Sequence, residues 1–113
     1  MKQTSGWSTF GLVLMMVVVP LLLLGNGGDA TAGKAVFEKK CTTCHGKEGE
    51  GKEAMAKMMK VEMKHLGSKE VQAKKDADLT KDITEGVGKM KPVKGLSDAD
   101  TANVVAYLRT LKK

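Results

Sequence analysis

Apolar positions divide the chain into two unlike stretches. Residues 3–28 carry no charge and contain the apolar run Phe10–Leu24, interrupted only by Gly11 and Pro20. From Gly33 onward, apolar residues recur at threes and fours among lysines and carboxylates, the spacing of amphipathic helices. A first helix is expected from about Ala32 to Lys40, carrying Ala35 and Phe37, with Thr31 or Asp29 as its cap and Gly46 as a stop. The glycine-dense stretch 46–51 reads as a loop. Met55, Met58, Met59, Met63 and Leu66 would share one helical face over residues 52–66. Ser68 is placed to cap a short helix through Val71 and Ala73, and Asp76 or Asp78 to open another that presents Leu79 and Ile83 and ends at Gly86. Val87 to Leu96, with Gly88, Pro92 and Gly95, reads as an ordered loop. Ser97 followed by Asp100 opens the last helix as a capping box. That helix directs Val104, Val105, Leu108 and Leu111 toward a core and sets Arg109, Lys112 and Lys113 at the end where cations suit the dipole. No stretch alternates in the manner of a strand and no repeat is visible, so an all-α domain is expected.

The first stretch has the layout of a secretory signal: Lys2, the apolar run, then small residues through Ala32. Ala30 and Ala32 suit a cut before Gly33, and Gly28 and Ala30 a cut before Thr31. The rival is an uncleaved membrane anchor through residues 6–25, since about 20 apolar residues cross a bilayer. The purely apolar run is shorter than that, which favours cleavage. Both readings put the charged part outside the cytoplasm, in the periplasm, either free or anchored and facing it. No cysteine near the exit offers a lipid attachment. The expected division is a signal peptide or anchor over 1–32 and a domain over 33–113.

Composition narrows the domain further. The chain has 113 residues and a formal net charge of +6. All its cations except Lys2 and all its carboxylates except Asp29 lie from Gly33 onward, with Phe37 and Tyr107 the only aromatics there. So thin a core needs a disulfide, a metal or a cofactor, and it excludes a large enzyme with its own substrate domain.

Cys41-Thr42-Thr43-Cys44-His45 supplies the missing component. Cys-x-x-Cys-His is the attachment pattern of a c-type haem, whose two vinyl groups take the thiols and whose iron takes the adjacent imidazole. A zinc site would need four ligands, and the only other histidine is His65. A thioredoxin-like pair would sit in a βαβ context, absent here, and a Cys41–Cys44 disulfide would close too small a loop to hold a domain.

On these residues the exported part resembles a small monohaem class I cytochrome c of the exported bacterial type, over essentially all of 33–113. The resemblance rests on Gly33-x3-Phe37, Cys41-x2-Cys44-His45-Gly46, the Met90 loop and Val104-Val105-Ala106-Tyr107-Leu108-Arg109. It implies that the N- and C-terminal helices cross over one covalently bound haem c, with contact among Gly33, Phe37 and Tyr107. It also implies that Cys41 and Cys44 carry the haem and that His45 and Met90 are its axial ligands. Met90 stands between Gly88 and Pro92, where the family places its ligand methionine. His65 remains the rival ligand, while Met55, Met58, Met59 and Met63 read as core or as cover over the haem edge. Two departures stand out. The only prolines are Pro20 and Pro92, so the carbonyl that often orients the ligand histidine has no counterpart, and the loop reads Met90-Lys91-Pro92 where Met-Pro is frequent.

Two filled axial positions would keep small substrates from the iron, so the expected function is one-electron carriage between respiratory or other redox partners, not catalysis. A methionine ligand and burial by Leu79, Ile83, Val93 and Leu108 would both favour reduced iron. The carboxylates lie dispersed among lysines, with no acid, base or nucleophile arrangement. The lysines suit partners with acidic docking faces. Nucleic acid is not an expected partner, because the domain is read as exported and lacks interleaved aromatics. A monomer is expected. A ligand sensor or small peroxidase-like enzyme with a dissociating Met90, and a relay subunit within an enzyme complex, remain as alternatives.

Overall fold

The computed structural model describes residues 27–113. The expected signal or anchor, including residues 6–25, lies outside the described residues. The described residues form six helices in order: α1 (Ala30–Lys40), α2 (Thr42–His45), α3 (Glu53–Met59), α4 (Lys69–Gln72), α5 (Asp76–Glu85) and α6 (Asp98–Thr110). Among the described residues the only β-type pairing is an isolated bridge between Val87 and Met90, so the fold is all-α as expected.

Helix α1 packs across α6, and the closeness of the crossing depends on a missing side chain. A Cβ on Gly33 would lie 1.8 Å from the Asn103 carbonyl oxygen, so only glycine lets the two backbones meet. One turn on, Phe37 is 1% exposed and its ring centroid stands 5.1 Å from that of Tyr107 at a 56° tilt. Such a tilted pair adds favourable ring electrostatics to the area buried. Val104, Val105 and Leu108 from α6 and Leu79 and Ile83 from α5 complete the core, with Leu111 and Val93 half-buried against it. The expected Phe37–Tyr107 contact is therefore present, while Gly33 meets Asn103 and Val104, one turn before Tyr107.

Helix termini follow local chemistry in most cases. Ser97 and Asp100 form the reciprocal capping box at the start of α6. Ser68 caps α4, and Asp29 caps α1, its carboxylate accepting from the Thr31 and Ala32 N–H groups. Helix α1 thus begins two residues earlier than the pattern suggested. Asp76 does not cap α5; Lys75 holds that position without a side-chain bond. The Asp76 carboxylate instead accepts from Arg109, at 2.7 and 3.0 Å.

Arg109 differs from its sequence reading as well. Besides Asp76, its guanidinium donates to the carbonyls of Gln72 (2.9 Å) and Lys74 (2.6 Å). The Gln72 amide donates in turn to the carbonyls of Leu66 and Leu108, both at 2.9 Å. The end of α6 is thereby tied to the corner between α4 and α5, a tertiary role beyond the dipole effect.

The methionine helix is shorter than its pattern. Helix α3 stops at Met59, where Lys60 turns left-handed at φ 55° and the Val61 N–H reaches the Ala56 carbonyl, closing a Schellman-type end. Met63 and Leu66 consequently leave the shared face, and no residue of α3 is buried.

Candidate haem site

The Cys-x-x-Cys-His segment folds as a single helical turn continuing from α1. The Cys41 N–H donates to the Phe37 carbonyl, and the Cys41 carbonyl accepts from the N–H groups of Cys44 and His45. Cys41, Cys44 and His45 stand at i, i+3 and i+4, which puts all three on one side of the turn. Gly46 ends the turn at φ 79°, a conformation that favours glycine. The loop after it folds back on the motif: the Gly51 N–H donates to the His45 carbonyl (2.7 Å) and the Lys52 N–H to that of Cys44 (2.9 Å).

A cavity of about 210 Å³ opens beside this turn. Its walls bring Cys41 and His45 together with Met90, although Met90 follows them by 45 positions or more. Phe37, Leu79, Ile83, Val104 and Leu108 make the rest predominantly apolar. The Met90 side of the cavity is held by backbone. The Val87 and Met90 N–H groups each donate to the other's carbonyl, at 3.0 and 2.9 Å, and the Val93 N–H donates to the Ile83 carbonyl at 2.9 Å. Gly86 lets this loop close, since a Cβ there would lie 2.6 Å from the Met90 oxygen.

His65, the rival ligand, does not line the cavity. Its Nδ1 accepts from the Gly67 N–H at 2.8 Å and serves a turn. The methionines of α3 do not line it either.

Burial sets the state of the site's polar groups. Burial pushes the Cys41 thiol up to about 11, with the neighbouring Cys44 acting in the same direction, and the two cysteines form no disulfide with each other. Burial also lowers the basicity of His45 from its ordinary value. The His45 Nδ1 is buried and has no hydrogen-bond partner. Among the described residues, no group replaces the acceptor that a proline carbonyl often supplies.

The residues fit a c-type haem: a predominantly apolar cavity, two cysteines on one side of a turn, and the His45 imidazole on the same cavity wall as Cys41 and Met90. Three charged side chains also reach the cavity wall: Lys64, Lys74 and Asp82, with Lys74 and Asp82 paired to each other. Lys64 and Lys74 are the two cations on this wall. Sequence reasoning did not single them out, because nothing distinguishes them from the many other lysines.

Comparison with known proteins identifies the family. The family model described as cytochrome c matches residues 30–112. Cytochrome c-554(547) of Halothiobacillus neapolitanus is 34% identical over 91 residues, covering 75% of this chain and 99% of that protein. Cytochrome c-555 of Chlorobaculum tepidum is 35% identical over 101 residues, covering 82% of this chain and 88% of that protein. The solved structure of the KustC0563 c-type cytochrome superposes with a TM-score of 0.63 at 26% identity, over 72% of this chain and 98% of its own. With a family match across the whole helical domain and the haem-attachment turn facing an apolar cavity, the chain belongs to the cytochrome c family and is an electron carrier bearing one haem c.

Proposed function

We propose that this protein is a periplasmic one-electron carrier whose haem is bound through Cys41 and Cys44 and ligated by His45 and Met90. The observation that carries the reading is the shared cavity: His45 and Met90 both line it, and His65 does not. Bound haem supplies a one-electron Fe(III)/Fe(II) couple. The chain's own residues prepare the surroundings. The turn at 41–45 presents two thiols and one imidazole together, and the loop bonds at Val87, Met90 and Val93 limit how far the thioether can move. Phe37, Leu79, Ile83, Val104 and Leu108 exclude water, and exclusion of water together with a thioether ligand favours the less charged, reduced iron.

The surface supports carriage between proteins. Lys89, Lys91 and Lys94 are exposed in the loop that holds Met90, and Val87 is 48% exposed at the cavity rim. A small apolar rim among cations suits redox partners with acidic docking faces and makes encounter rates dependent on ionic strength. The charge-free stretch 3–28 supports export to the periplasm, as a cleaved signal or as a tether through residues 6–25. Among the described residues no helix is long and apolar enough to cross a membrane.

Absorption spectra of the oxidised, reduced and carbon-monoxide-treated reduced protein test the ligation, for wild type and Met90→Ala. A six-coordinate wild type that ignores carbon monoxide beside a variant that binds it supports the reading. Ready binding by wild type overturns it in favour of a ligand-binding haem, and a Met90→Ala protein that still refuses carbon monoxide places the sixth ligand elsewhere.

A further inference from the structure

The residues just before Gly33 are built into the domain. The Asp29 carboxylate caps α1, accepting from the Thr31 N–H at 2.8 Å and the Ala32 N–H at 3.4 Å. The Asp29 carbonyl accepts from the Gly33 N–H at 2.9 Å, closing the first turn, and the Asp29 N–H donates to Asn103 Oδ1 on α6 at 2.8 Å. Gly28 lies so close to α6 that a Cβ would stand 2.4 Å from the Ala102 carbonyl carbon and oxygen and the Asn103 nitrogen. Gly27 and Gly28 border a pocket of about 60 Å³ with Asp76, Thr80, Ala102, Val105 and Ala106.

Both small-residue cuts suggested by the sequence fall inside this arrangement. Cleavage before Thr31 or before Gly33 would remove the cap, the Asn103 bond and the Gly28 contact. It would also put a new ammonium group in the first turn of α1, at the positive end of the helix dipole, where a cation is unfavourable. A cut before Gly28 keeps the cap, the Asn103 bond and the Gly28 contact, and Gly25 and Gly27 supply small residues at −3 and −1. The family match, which begins at residue 30, also reaches past both cuts.

We propose that the exported protein retains Gly28 through Ala32 as part of its folded domain, its first residue being Gly28 or an earlier one. The chain then leaves the domain beside Ala102 and Ala106. These lie two positions from Val104 and Leu108, which line the haem cavity, so they occupy the opposite face of α6. Gly27 and Gly28 therefore sit on the face of α6 turned away from the haem cavity.

Intact mass and N-terminal sequencing of the native haem protein, purified from cells that export it, test the proposal. A first residue at Gly28 or earlier, uncleaved Met1 included, upholds it; a first residue at Asp29 or later overturns it. Full-length Asp29→Ala gives an independent readout in the purified holoprotein, with its mass checked for unchanged processing. Loss of the cap lowers Tm by about 4–8 °C, whereas a protein trimmed at Thr31 or Gly33 no longer contains this position and melts as wild type does.

Discussion

The α1–α6 crossing and the methionine segment at residues 52–66 start from similar sequence patterns and end in opposite states. Each offers apolar residues at helical spacing. At the crossing, Gly33 admits the partner backbone and Phe37 and Val104 are each 1% exposed. In α3, Met58 is 69% exposed and the helix ends after seven residues. The difference is the partner: a helical stripe is stabilised chiefly by what covers it, and short helices without cover are marginal. Periodicity reports that a face is available, and packing decides whether it is used.

The contrast is broken most severely at Phe37. Phe37→Ala in the holoprotein should cost about 3–5 kcal/mol, while Met58→Ala should stay within about 0.5 kcal/mol. Denaturant unfolding of the two variants side by side checks this, and equal losses would mean that α3 is a core element after all.

Arg109 tests how far the well-packed region extends. Arg109→Ala removes the guanidinium shared by Asp76 and the Gln72 and Lys74 carbonyls and should cost about 1–2 kcal/mol, discounted for partial exposure. Because Lys74 lies on the cavity wall, the same variant should also shift the midpoint potential in a redox titration. A stability loss with no shift would confine Arg109 to a structural role.

At α3, a gain is expected. Lys60 holds a left-handed conformation that glycine adopts freely, so Lys60→Gly should stabilise by up to about 1 kcal/mol. A thermal melt showing loss instead would reveal packing by the Lys60 side chain that its exposure hides.

The smallest effect concerns pH. The Glu50 carboxylate is held below its ordinary value by the Glu50 and Glu48 backbone N–H groups, with His65 and Lys52 helping. A carboxylate lowered in the folded state adds stability above its unfolded pKa and loses it as pH falls through the folded one. Melting temperatures taken from pH 6 down to pH 3 should therefore fall slightly less for Glu50→Gln than for wild type, and an identical slope would remove Glu50 from the account.

Legibility in the sequence tracked distance along the chain. The Ser97–Asp100 box, the Ser68 cap and the glycine stops at 46 and 86 were readable because each joins groups within a few residues. So was the haem turn, whose three chemical groups span five positions. Asp76 was misread because the competing partner, Arg109, lies 33 residues away. Lys64 and Lys74 carried no local mark, and the unpartnered Nδ1 of His45 could be seen only once every nearby carbonyl had a place.

By itself, then, the sequence determined the helical class, the covalent haem attachment and the candidate ligands, since these depend on residue type, period and short spacing. Tertiary structure decided which methionine shares a cavity with His45, that Gly28 and Asp29 pack against α6, and where α3 ends. Those outcomes depend on close approach of backbones and on competition among distant hydrogen-bonding groups. Neither exists until the chain has folded.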